Sequence, residues 1–295
     1  MKRTTGGNRT NNPMKILFSI LVCISAGYSS ALACSPLQIS IAGDVALVSN
    51  DTEICGLSLN LPAGGNKTVN GIDLGFMSGA EQMKGIQANL LFNFTGLSDS
   101  YPTYVRGIQI AGLANLFMGA DAEGVQIAGL VNTGGTGGMQ VAGLVNAGMY
   151  NEVQVALVNH VEKGGYVGQF GLMNYADSVQ GLQCFGMYNK AENVSGMQIG
   201  IVNRTADPLK GVDRKMRMMV GAHDSIMTGM QLGAVNLADS LTGVQAGLVN
   251  RSVKAKGLQL GLVNITDQLQ GLQIGVLNII TTSAVPFLPI ANAHF

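Results

Sequence analysis

The chain has 295 residues, 41 of them Gly, with 47% hydrophobic and only 12% charged side chains. So much Gly excludes a helical bundle, because each Gly costs roughly 1 kcal/mol in a helix relative to Ala, and the apolar content excludes a disordered chain. Seventeen basic and seventeen acidic residues cancel, which argues against a nucleic-acid binder.

The chain opens with a leader pattern. Lys15 precedes an apolar run over 16–24, and Ala31-Leu32-Ala33 follows. A basic residue, a short apolar stretch and an A-x-A site predict a signal peptide over 1–33. Met14 is then the start, with residues 1–13 an upstream extension. The apolar run is too short for a spanning helix, and no later segment is long enough. The first 33 residues hold four basic residues and no acid, which leaves 13 basic against 17 acidic over 34–295. Cleavage after Ala33 puts Cys34 at the mature N-terminus. Three readings stay open there: a lipid-anchored cysteine, a disulfide to Cys55 in an oxidising compartment, or two unpaired thiols. Cys184 stands alone on a repeat.

Residues 34–295 read as a single repeat domain. The units beginning at Gly243, Gly257 and Gly271 share the pattern G-Φ-Q-Φ-G-Φ-Φ-N, where Φ is apolar, followed by about six mostly polar residues. The Gln column runs 109, 126, 140, 154, 169, 183, 198, 231, 245, 259, 273. The Asn column runs 93, 115, 132, 146, 159, 174, 189, 203, 236, 250, 264, 278. Degenerate earlier units start near Pro36, Gly56, Gly71 and Gly85, so about 15 units are expected. Apolar residues at the second, fourth and sixth places have period two, which is a strand signal.

The spacing predicts a parallel β-solenoid of about 15 coils. In a parallel stack each residue lies about 4.8 Å from its own copy, so Gln126, Gln140, Gln245, Gln259 and Gln273 join one amide ladder, and Asn132, Asn146, Asn250, Asn264 and Asn278 another. In an antiparallel meander the natural repeat would be two strands long, and a 14-residue period would flip alternate strands inside out. Gln126 and Asn132 are one residue further apart than usual, and the next gap is one shorter, as a fixed perimeter demands. The inserted Ala128-Gly129 marks a corner near the second Gly. The alternative is an up-and-down outer-membrane β-barrel. It draws on the ending from Pro286 to Phe295, a terminal Phe with apolar residues two and four places before it. Against it stand the low aromatic content and the lack of Trp, since spanning barrels carry aromatic girdles. In the solenoid, Phe295 is expected to plug the open end.

Two insertions interrupt the rhythm, at 94–106 and 204–228. The first carries Tyr101, Tyr104 and Arg106; the second carries Lys210, Arg214, Lys215 and Arg217. Both follow the Asn column, so both leave the same edge. Loops on one edge of a stack are candidate binding sites. Met139, Met173, Met187, Met197 and Met230 occupy apolar places and read as gap-filling core.

The GLQxGLVN units, the opening Pro36-Leu37-Gln38-Ile39-Ser40-Ile41 and the ending from Pro286 resemble a bacterial family of surface repeat-containing proteins. The resemblance covers 34–295. It implies export and a cell-surface or outer-membrane location in a diderm bacterium, and it supplies no catalytic residues.

The chemistry of enzymes is sparse. Glu162, Asp177, Asp239 and Asp267 fall at one place in their units, and Asp239 and Asp267, two units apart, would lie roughly 10 Å from each other. That is beyond the separation of paired glycosidase carboxylates, and turn Asp residues are the ordinary reading. His160, His223 and His294 are scattered, and no metal, nucleophile or phosphate-loop motif occurs. Asn203, Asn250 and Asn264 head Asn-x-Ser/Thr triplets as by-products of the Asn column. The expectation is a non-enzymatic exported structural or adhesive protein with no cofactor. Candidate partners are a surface glycan, a lipid head group or the outer membrane. A membrane pore and, remotely, a carbohydrate-active solenoid enzyme are the alternatives.

Overall fold

The computed structural model describes residues 34–41, 45–96, 103–118, 121–135, 137–150, 152–164, 168–205 and 225–295. These are all-β, with no helix among the described residues, and their strands form one 16-stranded sheet. Successive units pair in parallel and in register: Gln140 lies beside Gln126 and Gln154 beside Gln140, while Asn146 lies beside Asn132 and Asn159 beside Asn146. The sheet is therefore mostly parallel, compatible with a β-solenoid, and the antiparallel meander of the barrel alternative is not what the chain forms. Register survives both insertions, because Gly107 pairs with Gly85 and Gly229 with Gly196.

A unit bends where the second Gly predicts it. Met139–Ala142 and Val145–Gly148 are separate strands with a bend between them. Elsewhere the chain stays extended through its corners, as in Val235–Ile280. The first Gly of each unit is needed for a close approach. Gly257 has φ +134°, and a Cβ there would lie 2.1 Å from the Gly243 carbonyl oxygen. Gly271 repeats this against Gly257, also at 2.1 Å.

The interior is the reverse of what the apolar pattern suggests. Gln and Asn columns are fully buried, while many of the Leu, Ile, Val and Met residues at the second, fourth and sixth places are exposed. Met139, Met173 and Met187 lie outside, which corrects their reading as core; Met83 and Met227, at another place in the unit, are the fully buried methionines among the described residues. The apolar interior is narrow. It consists of Val161, Ala176, Val179, Ala191, Val194, Met227, Ala238, Leu241, Ala255, Leu269 and Ile280, with a second cluster around Ile54, Val69, Met83 and Val105. These residues precede the first Gly by two places or follow the Asn by two.

Each end of the described sheet has a specific feature. Ser35–Ile41 lies parallel to the start of the next unit, and Cys34 and Cys55 are joined in a disulfide. The sulfur of Cys34 is thus not available for a thioether to lipid. At the other end Phe287–His294 turns back and pairs antiparallel with 271–279. It covers the last edge with backbone, which removes a template for edge-to-edge association. Phe295 itself is 93% exposed, so the end is capped by a strand and not by a phenylalanine plug.

Candidate functional site

The predicted ladders exist as hydrogen-bonded columns. Each Gln donates from Nε2 to Oε1 of the preceding Gln: Gln140 to Gln126 at 2.7 Å, Gln259 to Gln245 at 2.7 Å and Gln273 to Gln259 at 2.7 Å. Each Asn donates from Nδ2 to Oδ1 of the following Asn: Asn132 to Asn146 at 3.0 Å, Asn250 to Asn264 and Asn264 to Asn278, both at 2.8 Å. The two columns thus point in opposite directions along the stack, and their amide dipoles oppose each other. The Asn amides also reach the backbone of the next unit, as Asn250 does to the Leu260 carbonyl at 2.7 Å. Hydroxyls two places after Asn join in: Gln259 donates to Ser252 at 3.1 Å, and Gln231 donates to Thr205 at 3.2 Å. A buried polar interior is tolerable only when it is satisfied in this way.

One ladder position holds a carboxyl. Asp73 takes the place of Gln and is buried. It accepts from Ser78 Oγ at 2.6 Å, from Gln87 Nε2 at 3.2 Å and from Asn60 Nδ2. Burial pushes the carboxyl above its ordinary range, against hydrogen bonds that lower it. A raised carboxyl means that the folded protein holds the proton more tightly than the unfolded chain. That stability is present below the ordinary carboxylate pKa of about 3.9 and is lost as pH rises through the folded value. Asp73→Asn is therefore expected to match the wild type near pH 3 and to be more stable near pH 8. An Asn here could also donate to Asn60 Oδ1, which has no partner, once the Asn60 amide turns over. Urea midpoints of both proteins at the two pH values check this, and a variant less stable at the higher pH refutes it.

The candidate loop residues divide. Tyr104 and Arg106 lie in the strand Tyr104–Ala111 and pair with 82–84 and 121–123. Phe94 and Thr95 pair with Leu116 and Phe117. The first insertion is therefore narrower than 94–106 at both ends. Lys84 Nζ lies 5.5 Å and the Arg106 guanidinium 5.4 Å from the centroid of the Tyr104 ring. Arg106 also faces Glu123 at 3.6 Å, with both side chains largely exposed. Exposed pairs of this kind contribute little to stability. Tyr101, Lys210, Arg214, Lys215 and Arg217 lie outside the described residues, as do His223 and the predicted leader.

The acids behave as surface groups. Asp267 accepts from Thr281 Oγ1 at 2.9 Å in an exposed setting. Partial burial pushes Asp177 up, opposed by His160 and reinforced by Glu162. The buried Cys184 thiol is likewise pushed up by loss of solvent. Among the described residues no three His, Cys, Asp or Glu side chains are grouped to hold a metal ion.

Two open hollows are present. One, of about 440 Å³, is lined by Asn50, Asp51, the 63–67 backbone, Ser78, Glu81 and Phe94. The other, of about 520 Å³, lies beside the C-terminal strand, with Lys254, Lys256, Gln268, Gln270 and His294.

The sequence located the ladders and did not reveal the apolar columns that face outward. Their signal was present in the period-two pattern, which shows that two faces differ without showing which is inside. Comparison of the chain with protein-family models, curated proteins and solved structures returns no match.

Proposed function

We propose that the chain is an exported, non-enzymatic surface repeat protein: a parallel β-solenoid of about 15 coils that serves as a rigid scaffold and adheres through groups outside the repeat. One observation carries this reading. The repeated polar side chains are spent on the stack itself, with the amides of each unit bonded to those of the next. Groups so used are not free to bind or transform a substrate. The Cys34–Cys55 bridge supports maturation in an oxidising compartment.

The adhesive candidate is the basic run Lys210, Arg214, Lys215 and Arg217. Its flanks are well tied. Asn203 and Thr205 pair with Asn236 and Ala238, and Ile226–Leu232 pairs with neighbours on both sides. Deleting 207–225 is therefore expected to preserve the β-sheet circular dichroism and the melting curve. It is expected to abolish salt-sensitive retention on a polyanionic glycan column, because such binding weakens as ionic screening rises. Unchanged retention by a folded deletion variant would refute the assignment of adhesion to this segment.

A further inference from the structure

The apolar side chains on the outside form a continuous edge, and its surroundings say what covers it. The sixth place of each unit sits at the corner between the two strands. There Leu90, Leu157, Met187, Ile201, Leu262 and Val276 are 46–63% exposed. They stack unit upon unit, since Met173 N donates to Leu157 O at 3.0 Å, Met187 N to Leu172 O at 2.8 Å and Leu248 N to Ala234 O at 3.0 Å. From Phe76 to Val276 the ridge is roughly 60 Å long at about 4.8 Å per unit. With its flanks it covers on the order of 600 Å² or more, at or beyond the largest apolar patch that soluble monomers carry.

Charge is arranged around this edge in bands. From the second place of each unit to its Asn, Asp73 is the sole charged residue, and it points inward. The residue directly after Asn is basic in Lys190, Arg204 and Arg251 and is nowhere acidic. The acids come two places further on, at Glu162, Asp177, Glu192, Asp239 and Asp267. In the units that carry these charges the order is apolar, then basic, then acidic, and Lys163, Lys254 and Lys256 lie beyond the acidic place.

We infer that this edge seats in the surface of a lipid bilayer containing anionic lipid. The Leu ridge would enter the acyl boundary, and Lys190, Arg204 and Arg251 would lie at the level of the head groups. Long basic side chains beside an apolar face extend toward anionic head groups. The acids stand two places beyond the basic residues and further from the ridge, with Asp177 within Coulombic reach of Lys190. The corner amides bond to the next unit, so few backbone groups must give up water on insertion. A second copy fits less well: two convex ridges meet along a line, short of the roughly 800 Å² per partner of a standard interface. The inference concerns a different surface from the basic insertion and stands or falls separately from the adhesive role.

Native absence of Trp makes single-Trp reporters clean. Leu262→Trp places a reporter on the ridge, and Gln268→Trp, at an exposed position, places one on the charged side. On mixing with vesicles of phosphatidylcholine and phosphatidylglycerol, the Trp at 262 is expected to shift to shorter wavelength and to be quenched by brominated acyl chains, while the Trp at 268 does neither. In co-flotation, the Lys190→Gln, Arg204→Gln, Arg251→Gln triple variant is expected to lose at least about tenfold in binding. Pure phosphatidylcholine vesicles are expected to bind the wild type similarly less. A folded protein that floats with neither vesicle overturns the inference, as do identical responses at 262 and 268. A discrete dimer whose Trp at 262 is already blue-shifted without lipid also overturns it and assigns the edge to a second copy. The two reporters keep the test intact if the triple variant fails to fold.

Discussion

Gly257→Ala is expected to cost about 3 kcal/mol or more, enough to separate the units on either side or to make the protein insoluble. The added Cβ would meet the Gly243 carbonyl oxygen at 2.1 Å and the Gly243 carbonyl carbon at 3.0 Å. Neither can move freely, because the spacing between units is set by backbone hydrogen bonds. The φ of +134° adds a conformation that a side chain rarely adopts. Gly137→Ala is the matched control, since a Cβ there meets nothing within 4 Å. It is expected to change stability by less than about 0.5 kcal/mol. Urea denaturation of the two variants gives the comparison, and equal midpoints would refute the close-approach account.

Asn264→Ala should lower stability by about 2–4 kcal/mol. Asn264 Oδ1 accepts from Asn250 at 2.8 Å, and its Nδ2 donates to Asn278 Oδ1 at 2.8 Å and to the Ile274 carbonyl at 2.9 Å. Truncation removes the donor from the buried Asn278 Oδ1 and from the part-buried Ile274 carbonyl at once. The Asn250 amide keeps its bond to the Leu260 carbonyl, which limits the loss on that side. In a stack where each unit touches only its neighbours, the damage should be local. Hydrogen exchange is then expected to rise in the units around 250, 264 and 278 and to stay low near 126–159. Gln270→Ala, at an exposed position, should leave both measurements unchanged. Wild-type protection around Asn278 in the Asn264→Ala variant would show that the column adds nothing.

The order of residues along the chain determined the strand class, the unit length and the parallel stacking. A fixed spacing of Gln140 to Gln154 and of Asn250 to Asn264 can be satisfied by identical neighbours only when copies lie side by side. The corner near the second Gly was legible for the same reason, because the added residue in the unit of Gln126 had to be absorbed within one turn. Tertiary structure decided which side of the strand faces in. Leu258, Leu260 and Leu262 alternate with Gln259 and Gly261, and alternation is symmetric between the two faces. Hydrophobicity alone would bury the Leu. The ladder reverses that choice, since Gln and Asn amides satisfy both donors and acceptors only against their copies inside a narrow stack. The small space left holds Leu269, Ala255 and the pair Ala238 and Leu241, one or two apolar side chains in each of these units, and the large apolar residues at the sixth place remain outside. The C-terminal ending was likewise ambiguous in sequence. Phe287–His294 could continue a stack, close a barrel or turn back. It turns back and pairs antiparallel with 271–279, supplying that edge with backbone partners.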